Sequence, residues 1–150
     1  MELDFSRHIM RECSIVHRGF HRLVNRRLAK YGANTVHVHF MRRIRRNPGV
    51  TGADLGRFFS KDKGAVTRCI SHLEAKKYVE KKADKKDKRI SRLYVTELGE
   101  ETFHKLHRIY HETETQILAQ LDEQTVLLLG NALEKISEQI KTQEEMLDDQ

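Results

Sequence analysis

The sequence contains one proline, two cysteines and no apolar run approaching the roughly 18 to 20 residues that a membrane-spanning helix needs. The missing run excludes a helical membrane span. The first residues, Met1-Glu2-Leu3-Asp4-Phe5, have neither the basic nor the apolar region of a secretory leader. Cys13 and Cys69 are too few for a disulfide framework, so nothing favours an oxidising compartment and a cytoplasmic location is the expectation. Repeats and low-complexity tracts are absent, and so are the common catalytic signatures. There is no phosphate-cradling glycine loop and no Cys-His or Ser-His pair at a recognisable turn. His107 and His111 have the spacing of a His-Glu-x-x-His motif but lack its internal glutamate. An enzyme is therefore not expected.

What is present suits one domain, or one domain with helical extensions, in 150 residues. Hydrophobic residues make up 38% of the chain and charged residues 33%, enough apolar material for a core and enough charge for wide solvated faces. The net charge of +6 conceals a strong segregation. Residues 1–38 carry +4, residues 39–96 carry +11, and residues 97–150 carry −9. A block this basic beside one this acidic asks for more than solubility, and clustered Lys and Arg gain from counterion release on nucleic acid.

Apolar periodicity organises the chain. Ile9, Val16, Phe20, Leu23, Val24 and Leu28 recur at helical spacing and predict one amphipathic helix over 8–31, ended by Gly32. Thr35 is placed to cap a second helix carrying Val36, Phe40 and Ile44, which stops at the turn Asn47-Pro48-Gly49. Thr51 caps a short third helix with Leu55, Phe58 and Phe59 on its apolar side. Asp62 begins a fourth over 63–77, with Val66, Cys69, Ile70 and Leu73 on one stripe and Lys63, Thr67, Arg68 and Ser71 on the other face. The period then changes to two. Tyr78-Val79-Glu80-Lys81-Lys82 and Ser91-Arg92-Leu93-Tyr94-Val95 flank the polar turn 83–89 as a basic hairpin. Helix resumes after Thr96, with Phe103, Leu106, Tyr110, Ile117 and Leu121 on one face. Asp122 caps a last helix carrying Val126, Leu129, Leu133, Ile136 and Ile140.

Helix, helix, turn, helix and basic hairpin is the order of a winged helix-turn-helix. Four stretches make the likeness specific: Thr51-Gly52-Ala53-Asp54-Leu55-Gly56, Asp62-Lys63-Gly64-Ala65-Val66-Thr67-Arg68-Cys69-Ile70-Ser71-His72-Leu73-Glu74, Asp84-Lys85-Lys86-Asp87-Lys88-Arg89, and Leu93-Tyr94-Val95-Thr96-Glu97-Leu98-Gly99. Over roughly residues 35–100 the chain resembles the MarR family of transcriptional regulators. The resemblance implies a mainly α fold (α+β winged helix), with a DNA-binding lobe over 35–98 and dimerisation helices over 5–31 and 99–148. It also implies double-stranded DNA and a second copy of the chain as partners. Arg89 occupies the place of the family's wing arginine, which enters a minor groove, and Asp87 that of the aspartate holding it. Thr67 and Arg68 match positions that contact DNA, with Lys63, Gly64 and Ala65 near the helix N-terminus where phosphates are favoured. Thr51, Ser71, Lys85, Lys86 and Lys88 complete the expected DNA-binding set. Tyr78 stands where a glycine commonly closes the recognition helix.

The signal such a regulator would answer has several candidates. Nine histidines are many for this length, and zinc-responsive relatives draw ligands from the first helix, the start of the second and the fifth. His21, His37 or His39, His107 and His111 lie near those places, so zinc is one candidate and hydrogen-bonded surface histidines are the alternative. Cys13 lies near the reactive cysteine of hydroperoxide-sensing relatives, the alternative being an inert buried thiol. A small organic effector between the DNA-binding lobe and the dimer helices is a third. The resulting expectation is a sequence-specific, ligand-responsive repressor that binds a pseudo-palindrome as a homodimer. A metal- or redox-responsive regulator of the same fold, or a nonspecific architectural DNA binder, is the alternative.

Overall fold

The computed structural model describes residues 8–148, so residues 5–7 of the expected N-terminal dimerisation segment lie outside the described residues. The elements run α1 (Ile9–Leu28), a 3-10 turn (Ala29–Tyr31), α2 (Thr35–Arg46), β1 (Val50–Thr51), α3 (Gly52–Phe59), α4 (Lys63–Ala75), β2 (Val79–Ala83), β3 (Ser91–Val95), α5 (Glu97–Leu118) and α6 (Glu123–Asp148). Every predicted helix and both hairpin strands form. The strands build an antiparallel sheet in the order β1-β3-β2, with Val50 opposite Leu93 and Lys81 opposite Leu93 from the other side.

The chain divides into two compact units, Met1–Glu112 and Thr113–Gln150. The division falls inside α5, and the core of the first unit draws on more than the winged helix. Val24 and Leu28 of α1, Val38, Phe40, Met41 and Ile44 of α2, Leu55 of α3 and the α4 stripe Val66, Cys69, Ile70 and Leu73 form one cluster. Val79, Leu93, Phe103 and Leu106 complete it. Burying a side chain of this kind is worth about 1.5 to 3 kcal/mol, so the helix-turn-helix is held against the sheet and against the first part of α5 by a continuous apolar core. In the second unit, α6 has no buried residue.

Several local expectations are corrected. Asn34, not Thr35, caps α2, because its side chain accepts from the His37 N–H at 3.1 Å while Thr35 is buried. The third strand β1 is only two residues long, too short to show a period of two. Helix α4 ends at Ala75, two residues early. There the Tyr78 N–H donates to Leu73 O at 2.9 Å and the Lys77 N–H to Glu74 O at 2.8 Å, with Lys77 at φ 59°, a Schellman closure in which lysine takes the left-handed position. The position that commonly calls for glycine is thus filled by Lys77, and Tyr78 leads into β2. Phe58 is 55% exposed and not in the core. On α1 only Val24 and Leu28 are buried, leaving Ile9 and Val16 exposed.

Gly99 fastens the hairpin to α5. A Cβ there would collide with the Tyr78 carbonyl oxygen and come within 2.8 Å of Val95 Cγ1. Thr96, just before α5, donates from Oγ1 to Lys77 O at 2.6 Å and accepts from the Gly99 N–H at 3.0 Å. The Thr-x-x-Gly run therefore joins the end of the recognition helix, the base of the wing and the start of α5 at one point.

Candidate nucleic-acid interface

Helix α4 starts at Asp62, whose Oδ1 accepts from the Ala65 N–H at 2.9 Å. That bond, assisted by Arg68, holds the Asp62 carboxyl below the usual carboxylate range. With Val66, Cys69, Ile70 and Leu73 turned into the core, helical geometry leaves Lys63, Gly64, Thr67, Arg68 and Ser71 exposed and Ala65 half-buried. A Cβ on Gly64 would stand 3.1 Å from Asp62 Oδ1 and 3.3 Å from Arg68 Nη1, so glycine leaves room for the guanidinium beside the helix N-terminus. Thr51 sits apart from this face as a cap. Its hydroxyl accepts from the Asp54 N–H at 3.2 Å and donates to Asp54 Oδ2 at 2.7 Å. The Thr51 N–H also donates to Asp54 Oδ2, at 2.9 Å, and this bond first and the hydroxyl's second hold the Asp54 carboxyl below its usual range.

The wing is a built loop. Asp84 Oδ1 accepts from the Lys86 N–H at 2.8 Å and the Asp87 N–H at 3.0 Å, and its other oxygen accepts from Arg92 Nε. The Asp87 amide, then Arg92, then the Lys86 amide hold the Asp84 carboxyl down at about 2. Asp87 repeats the device one step on. Its Oδ1 accepts from the Arg89 N–H at 3.0 Å and from Arg89 Nε at 3.1 Å, and its Oδ2 from Arg89 Nη2 at 3.1 Å. The fork lowers the Asp87 carboxyl, and it orients a guanidinium whose side chain is 91% exposed. Lys85, Lys86 and Lys88 surround it in the exposed turn. On the strand below, Lys81 Nζ pairs with Glu74 of α4 at 2.6 Å, linking wing and recognition helix.

Two residues of this architecture escaped the sequence reading. In the sequence Asp84 stands in the wing stretch with no role apparent from its spacing, and Arg92 falls on a strand. Arg92 reaches from Asp84 to the Gly49 carbonyl at 2.9 Å, tying the wing turn to the loop before β1. The alternation of β3 placed Arg92 away from Leu93, which is the one signal that it was available for such a bridge.

The histidines do not assemble as the zinc reading expected. Among the described residues no three His, Cys, Asp or Glu side chains form a group able to hold a metal ion, so His21, His37, His107 and His111 are not one site within the chain. His37 stacks on His72 at 4.1 Å, accepts the Asn34 N–H at Nδ1 and so stays neutral there, while His72 Nε2 donates to Gly32 O at 2.9 Å. Burial, then the neighbouring His72, depresses His37 to about 4. His21 lies beside His17 and stacks on His39 at 5.9 Å, with its Nδ1 3.1 Å from Thr35 Oγ1. Burial first and Arg42 second hold His39 at about 4. His107 packs near Phe103 and is lowered by burial and Arg42. Cys13 is a half-buried free thiol on α1, and burial raises the Cys69 thiol to about 12, far from a reactive thiolate.

A profile of the MarR family matches residues 31–90. The chain is 30% identical over 109 residues to the HTH-type transcriptional regulator BilQ of Clostridium symbiosum, covering 73% of this chain and 76% of that protein. Among solved structures, that of MarR superposes with a TM-score of 0.81 at 25% identity, covering 89% of this chain and 98% of the other. A MarR family transcriptional regulator from Listeria monocytogenes, solved in complex with a 26mer DNA, superposes with a TM-score of 0.75 at 23% identity over 87% of each chain.

Proposed function

This chain belongs to the MarR family, whose members are transcriptional regulators, and on that premise we propose that it is a homodimeric, sequence-specific DNA-binding repressor answering to a small effector. Each winged helix takes one half-site of a pseudo-palindrome. Helix α4 enters the major groove with Thr67 and Arg68 toward base edges, and Lys63 and the helix N-terminus meet phosphates. The wing sends Arg89 into the adjacent minor groove, where the potential of several phosphates is concentrated. The reading assigns the chain binding and not catalysis, places it in the cytoplasm, and gives α1, α5 and α6 to the dimer.

The observation that carries the reading is the wing tip. An arginine held in a bidentate fork by Asp87, yet 91% exposed, gains little stability for the fold, because surface ion pairs are worth about 0 to 1 kcal/mol. The fork instead restrains a cation that has no protein surface to cover. Dimerisation rests on a separate observation, that α6 has no buried residue while Leu129, Leu133 and Ile140 are exposed at heptad-like spacing. Selection of bound duplexes from a random pool, followed by footprinting, tests the proposal. Two protected half-sites about one helical turn apart are expected, with the wing protecting flanking minor groove. Uniform protection without a recurring sequence would make the chain an architectural binder.

A further inference from the structure

Beyond its strand pairing, the wing turn is tied to the lobe through Arg92. Its Nη1 donates to Gly49 O at 2.9 Å and its Nε to Asp84 Oδ2. Gly49 is itself fixed, because its N–H donates to Leu93 O at 2.8 Å, and it stands in the chain just before β1 and the helix-turn-helix. Asp84 is fixed from the other side. Its N–H donates to Ile90 O at 2.9 Å, and its Oδ1 accepts from the Lys86 and Asp87 amides. The Asp87 carboxylate then holds Arg89. An unbroken run of bonds leads from the loop before β1, through Arg92, Asp84 and the Asp87 backbone, to the guanidinium at the wing tip.

The two members of the Arg92–Asp84 pair differ in exposure, 41% for the arginine side chain and 13% for the aspartate. A carboxylate largely withdrawn from water, and bonded to two backbone amides as well, keeps one geometry where a fully exposed ion pair does not. Arginine suits the place because its planar fork serves two acceptors in fixed directions, which an ammonium on a flexible stem does not. Its charge is matched by Asp84, which removes the usual reason for an arginine at a DNA surface, the neutralisation of a phosphate.

An arginine entering a narrow groove binds best when the turn that carries it is already aimed, since ordering that turn on binding is subtracted from the affinity. We propose that Arg92 is a positioning residue for DNA recognition. With Asp84 it fixes the wing turn against the loop before β1, and so sets where Arg89 meets the minor groove relative to α4 in the major groove. It touches no DNA and acts through Arg89. This role rests on the DNA-binding reading above and gives the reach of the wing a determinant outside the turn.

The test is a double-mutant cycle on the full chain, read by fluorescence anisotropy on the selected duplex. Arg92→Gln alone should lower affinity by about threefold to tenfold, and in the Arg89→Ala background by less than about twofold, because the residue it positions is gone. The loss should fall on the flank. Exchanging A·T for G·C pairs in the flanking minor groove should matter less to Arg92→Gln than to the parent, while exchanges under α4 should cost both equally. The slope of log affinity against log salt should stay that of the parent, whereas a lost phosphate contact would reduce it by about one. Arg92→Lys keeps the charge without the fork and should lose nearly as much as Arg92→Gln. Asp84→Asn, struck from the other side of the pair, should lose a similar factor and add little to Arg92→Gln. Far-ultraviolet circular dichroism establishes that each variant is folded, and Asp84→Asn carries the cycle with Arg89→Ala if Arg92→Gln does not fold. An Arg92→Gln loss of the same factor with and without Arg89, or a reduced salt slope, places Arg92 on the DNA itself and overturns the positioning role. Arg92→Gln or Arg92→Lys binding as the parent does overturns it as well, and an accompanying loss in Arg89→Ala leaves the wing reading standing. No loss from Arg89→Ala overturns both.

Discussion

The first unit encloses an apolar core, whereas α6 in the second buries none of its residues. In the first, α1 to α5 and the sheet surround Phe40, Met41, Ile44, Leu55, Leu73 and Leu93, all essentially inaccessible to solvent. In the second, a 26-residue helix leaves Leu127, Leu128, Leu129, Leu133 and Ile140 exposed. The charge follows a similar division, +11 over residues 39–96 and −9 over residues 97–150. An apolar face of that extent on a polar, acidic helix suits association with another chain, whereas a closed core under a basic surface suits presentation of fixed side chains to a polyanion. Each prediction below strikes one side of this contrast.

The largest effect is expected where the first unit is tightest. Gly99→Ala drives a Cβ into the Tyr78 backbone and Val95, which neither a helix start nor a paired strand can easily yield. Overpacking of this kind costs about 1 to 3 kcal/mol and more when backbone must move. A thermal melt should show the loss, and an unchanged melting temperature would mean that the junction of α4, wing and α5 is loose.

Next comes the open side. Replacing Leu129 and Leu133 together by Glu should dissociate the dimer at micromolar concentration in sedimentation velocity, and should lower affinity for a two-half-site duplex far more than for a single half-site. A double variant that still sediments as a dimer would move the interface off α6.

Arg68→Ala should weaken binding by about 1 to 3 kcal/mol and relax preference at one base per half-site, if the guanidinium makes a bidentate contact to a base. Equal losses on selected and random duplexes would place it on phosphate.

These expectations rest on features that were unequally visible in the amino-acid order. The helices announced themselves because Val66, Cys69, Ile70 and Leu73, or Phe103 and Leu106, keep a helical period long enough to count. The wing fork was legible through the family resemblance, which sets Asp87 and Arg89 in the places of an aspartate and the arginine it holds. Strand β1 was not, being two residues that pair only because Leu93 and Arg92 arrive from far along the chain. Phe58 and Phe59 are adjacent and equally apolar, and only the course of α2 decides that Phe59 stacks on Phe40 while Phe58 stays outside under Arg43. The same holds for Asp84 and Arg92, whose bridge depends on a hairpin register. Histidine count gave the least reliable guide, because His37 and His39, two residues apart on α2, face different partners, His72 and His21.

The histidines give a smaller, graded effect. A neutral His37 or His39 with its pKa held at about 4, against an ordinary 6.5, binds its proton more readily in the unfolded chain. The stability it contributes is complete above about pH 6.5 and is lost as pH falls toward 4. Asp84, depressed from 3.8 to about 2, contributes stability that disappears over the next lower window. The melting temperature should therefore decline in two stages on acidification, and His39→Asn should flatten the first. A melt independent of pH between 6.5 and 4 would mean that these rings take up protons as readily in the folded chain as in the unfolded one.

The central claim is that the wing reads DNA through Arg89, and the most direct measurement is the affinity of Arg89→Ala for the selected duplex at one fixed salt concentration. Because the fork is exposed and serves the fold little, the variant should match the parent in melting temperature and sedimentation while losing at least about tenfold in affinity, roughly 1.4 kcal/mol. Asp87→Ala should move affinity in the same direction by less, since it restrains the arginine without touching DNA. An Arg89→Ala protein that binds the duplex as the parent does would contradict the account.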